Sequence, residues 1–197
     1  KAHVDLKKIR YLFGGDLLRQ GIATSMGVEA LQIPMFGLYG ACSTSGEALA
    51  LASMSAAAGY GGTMIAVTSS HFGSAEKEFR FPLGYANQRP LSSHWTVTGS
   101  GAFLVQSAEE YRKQNTKSYF SNIRITGVTV GKIVDYGLKD SQNMGACMAP
   151  AAMDTIVQNF QDMERKEKDY DRIITGDLGS IGRTILFDLI REKGYDI

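Results

Sequence analysis

Cys42 is the residue in this sequence whose surroundings best suit chemistry. It lies in the run Gly40-Ala41-Cys42-Ser43-Thr44-Ser45, which follows a short apolar stretch and precedes an alanine-rich helix. Backbone N–H groups at a helix start are free to bind an anion, and the helix dipole favours negative charge there. We expect the same field to lower the pKa of the thiol and make it nucleophilic. The alternative that the spacing leaves open is a small buried cysteine that only packs.

Two side chains in the following polar stretch are candidates for binding an anion. His71 comes directly after a predicted strand, and strand ends in α/β folds face ligand crevices. Arg80 lies in the predicted loop 69–93, where its guanidinium could bind a carboxylate through paired hydrogen bonds. Each residue taken alone is equally typical of a solvated surface loop.

A second group of candidates lies later in the chain. Asn143 and Met144 belong to the stretch 140–152, whose polar and small residues either line a pocket or form a tight loop. Asp177 is expected to cap the helix that follows it. The glycine-rich run 176–182 matches neither a Walker loop nor a dinucleotide fingerprint, so we predict no nucleotide site.

These residues need an alternating set of strands and helices to position them. Apolar runs bounded by turn residues predict strands at 9–16, 35–39, 63–68, 96–106, 123–134 and 173–174. Helical spacing predicts helices at 22–31, 46–58, 151–164 and 184–193. Thr44 and Glu47 have the spacing of a capping box, and Pro150 is expected at the entry of the third helix. The helix 46–58 has almost no charge, which predicts burial on most sides.

Composition excludes several classes of function. With 197 residues, 44% hydrophobic and 21% charged, the chain is typical of a soluble globular protein, and a net charge of +1 argues against nucleic acid as a partner. Its two cysteines lack C-x-x-C spacing or paired histidines, so we predict no metal site, and no cofactor either. No apolar run reaches the roughly 18 residues of a membrane span, which predicts a cytoplasmic or peripheral protein. The chain begins at Lys1 rather than methionine, and we expect a fragment or a processed product.

One internal similarity could organise the chain. The run 9–17 and the run 171–178 both predict a strand that ends in Gly-Asp-Leu and is followed by a helix. Two matched segments are compatible either with a duplicated α/β unit or with coincidence.

Several motifs together resemble a known superfamily. The Cys42 turn with its alanine-rich helix looks like the nucleophile turn of thiolases and ketoacyl synthases, and residues 169–174 look like the opening strand of their second half. More specifically, the chain resembles the stage V sporulation protein AD family. The segments that carry this match are Gly15-Asp16-Leu17-Leu18, Gly40-Ala41-Cys42-Ser43-Thr44-Ser45, Ser69-Ser70-His71, Ala75-Glu76-Lys77, Phe79-Arg80-Phe81-Pro82, Thr96-Val97-Thr98-Gly99-Ser100-Gly101, Asn143-Met144-Gly145, Met148-Ala149-Pro150-Ala151-Ala152 and Thr175-Gly176-Asp177-Leu178.

The resemblance implies a thiolase-like α/β fold with duplicated halves in layers. The first half would span 1–122 without its N-terminal part, and 123–197 would begin the second half. It further implies a protein that binds dipicolinic acid (pyridine-2,6-dicarboxylate) for uptake into the developing spore, beside other membrane-associated stage V sporulation proteins. A homodimer through the region 80–99 also follows from the likeness to thiolases.

One departure from the condensing enzymes bears on activity. Their second half carries a His-Gly-Thr-Gly pattern, whereas this chain has Thr175-Gly176-Asp177-Leu178-Gly179 and no histidine there. We therefore predict a non-catalytic binding protein in which Cys42 is a vestigial nucleophile. The alternatives are an acyltransferase that uses Cys42 and a purely structural subunit. The residues predicted to line the ligand site are Cys42, Ser43, His71, Arg80, Asn143, Met144 and Asp177.

Overall fold

The structure is a computed structural model that describes residues 4–17, 21–71, 73, 90–92, 96–114 and 123–197. The chain divides into two units. The first lies within Lys1–Glu76 and Val97–Thr126, and the second within Lys77–Thr96 and Gly127–Ile197. In the described parts of the chain, no helix combines the length and the apolar character needed to cross a membrane.

A four-stranded sheet forms the first unit. Its strands are β1 (Tyr11–Asp16), β2 (Met35–Gly37), β3 (Thr63–Ser70) and β4 (Gly99–Gln106), in the order β2-β1-β3-β4. β1 pairs in parallel with both β2 and β3, and β4 runs antiparallel to β3. The four strands predicted in this part of the sequence are thereby confirmed. The carboxyl ends of the three parallel strands lie at the same edge of the sheet.

Among the described residues, three α-helices accompany this sheet: α1 (Ile22–Val28), α2 (Thr44–Ala57) and α3 (Ala108–Gln114). The buried residues Ala48, Ala52 and Ala56 follow one another at four-residue spacing on α2 and pack against a core that includes Phe13. Met54 on the same helix is 49% exposed, so the prediction that α2 is buried on most sides is wrong. The small alanine side chains let one face of α2 approach the sheet closely, and the buried residues of the helix lie on that face.

Two helices pack together in the second unit. They are α4 (Met144–Asp162) and α5 (Gly179–Glu192), and their shared core contains Ala149, Met153, Leu178, Leu186 and Ile190. The predicted third helix began at 151, whereas α4 begins at Met144 and holds Pro150 in its interior. The Asn143 side chain accepts a hydrogen bond from the Ala146 N–H (3.1 Å), and this cap starts the helix ahead of the proline.

The backbones of α4 and α5 come into contact at two glycines. A Cβ on Gly145 would lie 2.0 Å from the carbonyl oxygen of Leu178, and a Cβ on Gly182 would lie 2.7 Å from three backbone atoms of Gly145. No side chain fits at either position. The start of α4 is therefore held directly against the start of α5.

The strands predicted at 123–134 and 173–174 are wrong, because no strand forms in those ranges. Residues 127–131 instead run alongside α4. A Cβ on Gly127 would touch Met163, the Asn159 amide donates to the Thr129 hydroxyl (2.9 Å), and a Cβ on Gly131 would touch Thr155. Each step of two residues along the segment thus corresponds to four residues along the helix. Because a helix rises 1.5 Å per residue, the segment rises ~3 Å per residue, as extended chain does.

Within the described residues, the segments 123–134 and 173–174 form no ladder of hydrogen bonds with a neighbouring strand. Their apolar side chains are correspondingly open to solvent, with Ile133 98% exposed and Ile174 87% exposed. The sequence pattern predicts extended chain, which is confirmed at 127–131, but its prediction of strand pairing is wrong.

Candidate functional site

The carboxyl edge of the sheet carries two of the predicted residues, Cys42 and His71. Cys42 lies just beyond β2, and His71 comes directly after β3. Because β1 separates these strands, their ends lie ~10 Å apart at the usual strand spacing. From β1 the chain continues to β2 on one side of β1, and from β2 it continues to β3 on the other side of β1. Ligand crevices in α/β sheets form at such reversals of strand order.

A single tight turn presents Cys42 at the start of α2. Residues Ala41–Ser43 form one 3-10 turn, and Ala41 has a φ of 48°, in the left-handed region that side chains disfavour. The Ser43 backbone N–H and hydroxyl both donate to the Gly40 carbonyl oxygen, at 3.0 and 2.8 Å. No side-chain cap forms on α2, so the predicted capping box between Thr44 and Glu47 is wrong. The turn is held by Ser43 instead.

The Cys42 thiol is accessible but not activated. Although the residue is exposed, protein atoms exclude enough water from the sulfur to raise the pKa of the thiol. A hydrogen bond from its own backbone opposes this rise without overcoming it. The expectation that the helix start would lower this pKa is therefore wrong, because desolvation is the larger effect. The thiol form predominates at neutral pH.

Glu47 brings a negative charge to the same turn. A Cβ on Gly40 would lie 2.6 Å from the Ser43 Oγ and 2.8 Å from the Glu47 Oε2, so both oxygens lie over Gly40. A carboxylate in the first turn of a helix is favoured by the helix dipole, and its negative charge repels an external anion that approaches this turn. Sequence spacing predicts only a capping role for Glu47 and does not point to it as part of the site.

Thr44 fixes the first residue of α2 against β1. Its side chain is 2% exposed, and a Cβ on Gly15 would lie 3.1 Å from its γ-methyl group. The same Cβ would lie 2.2 Å from the Leu38 carbonyl oxygen, so only glycine allows this approach. Among the described residues, the Thr44 hydroxyl oxygen is buried without a hydrogen-bond partner.

His71 and Arg80 were the predicted sources of positive charge. His71 is exposed, and its Nδ1 accepts a hydrogen bond from the Gly73 N–H (3.0 Å). This nitrogen therefore takes part in a local contact within the loop. Arg80 lies outside the described residues, and its predicted contact with a ligand stays a prediction.

The second group of predicted residues meets at the two helix starts of the second unit. Asn143 caps α4 as described above, and half-buried Met144 follows it. The Asp177 carboxylate accepts from the Gly179 N–H (2.9 Å), but the N-cap of α5 is Leu178 and no side-chain cap forms, so the expectation that Asp177 caps the helix is wrong; the contact shapes the turn just before it. The glycine contact between the helices brings these three residues into one neighbourhood. Their contact with a ligand stays a prediction.

A groove of about 820 Å³ lies beside Asp177 in the second unit. Its wall includes Arg172, Arg183, Phe187 and the apolar Ile173. Because cations and carboxylates are mixed along it, the groove has no clear preference for an anion. Cys42 is not among the residues that line it.

Comparison with known proteins agrees with this architecture. A model of the stage V sporulation protein AD family matches residues 1–197. Stage V sporulation protein AD of Bacillus subtilis (strain 168) is 42% identical over 197 residues, which are 100% of this chain and 55% of that protein. The chain thus spans about half the length of this curated relative.

A solved structure shares the fold at low sequence identity. It is a tetronic acid condensing enzyme, with a TM-score of 0.58 and 13% identity over 98% of this chain and 64% of that one. The predicted thiolase-like α/β fold is confirmed by this likeness, which speaks for the fold alone. By its sequence, the chain belongs to the stage V sporulation protein AD family, and its role lies in sporulation.

Proposed function

We propose that the protein binds dipicolinic acid without converting it, and that this binding serves uptake of the acid into the developing spore. The observation that carries the proposal is the Cys42 turn: an accessible helix start at a sheet's carboxyl edge, with a thiol whose pKa is raised. Such a turn offers hydrogen-bond donors to a carboxylate but no ready nucleophile.

Donors for one carboxylate are present at the turn. The Thr44 N–H already donates to the Ala41 carbonyl oxygen, so the donors we assign to the ligand are the exposed Ser43 hydroxyl and the N–H groups that follow Thr44 in the first turn of α2. The Glu47 carboxylate opposes a second anion, so binding also requires a positive charge. We assign that charge to His71 at the same sheet edge or to Arg80.

The chemical state of Cys42 favours binding over turnover. A thiol with a raised pKa holds little thiolate at neutral pH, and thiolate is the nucleophilic form. The sequence has Thr175-Gly176-Asp177 where condensing enzymes carry a histidine. Loss of a positioned base reduces catalysis roughly 10²–10⁴-fold.

Titration calorimetry with dipicolinate on the whole protein tests the binding site. Cys42→Trp places a bulky ring over the turn and is expected to abolish binding. Cys147→Trp is the matched control, because Cys147 is also an exposed free cysteine but lies on α4. Equal affinity of Cys42→Trp and wild type would show that the ligand binds elsewhere.

The shared fold with a condensing enzyme keeps an acyltransferase as the second candidate. Incubation with acyl-CoA followed by intact-mass measurement distinguishes the two, since an enzyme of this type would acylate Cys42. A protein with neither acylation nor saturable dipicolinate binding would be a structural subunit.

Partners and location belong to the same proposal. We assign the protein to the periphery of the spore inner membrane, beside other membrane-associated stage V sporulation proteins, and to a homodimer through the region 80–99. Analytical ultracentrifugation tests the dimer. Co-sedimentation with vesicles that carry or lack those proteins tests the peripheral association.

A further inference from the structure

The segment 170–175 has the sequence of a central strand but no neighbouring strand. The run 171–178 repeats the pattern of the run 9–17, which contains β1. In the first unit β1 lies inside the sheet, between β2 and β3. The backbone at Tyr170 is extended, with φ −117° and ψ 124°, as in a strand. Within the described residues, however, no strand pairs with 170–175 on either side.

An open space lies along the segment on each of two sides. The groove of about 820 Å³ is bounded by Phe187 and other residues of α5, and a second cavity of about 290 Å³ is bounded by Thr129 and by Asn159 of α4. Three residues of the segment line both spaces: Tyr170, Arg172 and Ile173. A face of a strand presents alternate residues, so the consecutive pair 172–173 indicates that these spaces follow the backbone edges.

The smaller cavity separates two extended segments that share one amide of α4. The Tyr170 hydroxyl donates to the Asn159 Oδ1 (2.7 Å), and the Asn159 amide nitrogen donates to the Thr129 hydroxyl (2.9 Å). The segments 127–131 and 170–175 are thus connected through the helix, and no ladder joins them within the described residues. The side chains of Ile156 and Phe160 on α4 supply apolar lining to the space between them. An incoming strand on this floor would have a backbone partner on each side.

We propose that 170–175 is the central strand of a second sheet whose other strands come from polypeptide outside these 197 residues. One incoming strand pairs along the groove beside α5, and at least one lies on α4 between 170–175 and 127–131. The chain is 55% of the Bacillus subtilis relative, so nearly half of that protein lies outside the match and is long enough to form several strands. The position on α4 is enclosed by two segments of one chain, which favours a strand of the same polypeptide over a second copy.

Exposed apolar side chains agree with this assignment. Ile174 is 87% exposed and Val130 is 74% exposed, although both belong to extended segments that pack beside helices. Isoleucine and valine are favoured in strands because they pack well against neighbouring strands and the layer above them. Completion of the sheet would bury side chains of this kind and pair the open backbone edges in one step.

The assignment changes the role of the groove beside Asp177. Asp16 ends β1 at the carboxyl edge of the first sheet, and Asp177 would take the same place in the second. The groove of about 820 Å³ is then filled by protein and is not a ligand cavity. A small ligand would meet Asp177 at the ends of the strands, where crevices of α/β sheets form. This inference does not depend on dipicolinate binding.

Amide hydrogen exchange of the whole protein tests the proposal directly. We expect the N–H groups of 127–131 and 170–175 to exchange at least about 100-fold more slowly than those of the exposed segment 138–141. The slow exchange should persist when the protein is diluted below the concentration at which it associates. Exchange as fast as in 138–141 would show that no strand pairs there. Protection that disappears on dilution would assign the incoming strands to a second copy, and either result would overturn the proposal.

Two proline substitutions test whether both edges are paired. Successive N–H groups of a strand point to opposite edges, so Arg172→Pro and Ile173→Pro each remove a donor from a different edge. We expect each to lower the melting temperature of the whole protein by roughly 5 °C or more. Lys139→Pro, in the exposed segment 138–141, is the control and should change it by less than about 2 °C. A loss in only one of the two variants, or in neither, would show that 170–175 is not a central strand.

Discussion

Asp16 and Thr24 are joined through a single carboxylate oxygen. The Oδ2 atom of Asp16 accepts from the Thr24 backbone N–H at 2.9 Å and from the Thr24 hydroxyl at 3.1 Å. Asp16 is 4% exposed at the end of β1, and Thr24 is the buried residue of α1. This pair attaches α1 to the carboxyl edge of the sheet, beside the Cys42 turn.

Replacing Asp16 should therefore destabilise the first unit. Asp16→Ala leaves the buried Thr24 hydroxyl and N–H without this acceptor, and hydrogen bonds to a buried charged group contribute about 1.5–3 kcal/mol each to stability. We expect a loss of at least about 2 kcal/mol in urea unfolding, with faster amide exchange in α1. Asp177→Ala is the matched control, because the exposed Asp177 belongs to the other Gly-Asp-Leu run and accepts one N–H. Equal losses in both variants would contradict the assignment.

Gly15→Ala should disrupt the Cys42 turn from the strand side. The added methyl group would lie 2.2 Å from the Leu38 carbonyl oxygen, so backbone must move, at a cost of about 1–3 kcal/mol or more. Gly46→Ala is the control: nothing lies within 4 Å of its added Cβ, and α2 should gain about 0.5–1 kcal/mol. Chemical denaturation measures both. A neutral Gly15→Ala would mean that the turn accommodates the methyl group.

Glu47→Gln should strengthen anion binding at the turn. Removing a charge that lies beside Ser43 relieves repulsion of about 1 kcal/mol in a solvated setting, which corresponds to roughly fivefold in affinity. The gain should shrink at high salt because exposed charges are screened. Calorimetry with dipicolinate at two salt concentrations measures it, with Glu109→Gln on α3 as a distant control. An unchanged affinity would place the ligand away from the start of α2.

Alkylation of Cys42 should become rapid only in alkaline solution. Because desolvation raises the pKa of this thiol, its thiolate appears as pH rises through a value above the ~8.5 of an ordinary cysteine. Iodoacetamide rates followed by intact mass in a Cys147→Ser background isolate this one thiol. We expect slower reaction at neutral pH than for a free cysteine in an unstructured peptide. A midpoint below that of the peptide would indicate an activated nucleophile and favour the acyltransferase.

Local sequence patterns predicted the elements that are stabilised by their immediate surroundings. The apolar run ending at Asp16 and the alanine-rich segment after Cys42 form β1 and α2 as expected. α3 was missed although Ser107 and Glu110 have capping-box spacing, and the Glu110 N–H does donate to the Ser107 hydroxyl (3.1 Å). Pro150 predicts a helix start at 151, whereas the Asn143 cap starts α4 at Met144.

Features that depend on distant residues could not be predicted in this way. Whether 123–134 pairs as a strand is decided by a neighbouring strand and not by its own apolar residues. The raised pKa of Cys42 depends on which atoms surround the sulfur, and spacing alone suggested the opposite. The buried hydroxyl of Thr44, which has no partner among the described residues, becomes visible only from the hydrogen bonds of the turn.

The matching of residues 127–131 to α4 restricts how this part of the chain can vary in length. Thr129 meets Asn159, and Gly131 meets Thr155, so two residues of one partner correspond to four of the other. A single deletion between Gly127 and Gly131 would turn the small residues outward and press larger ones onto the helix. Relatives that differ in length here should therefore gain or lose residues in pairs, together with about one turn of helix.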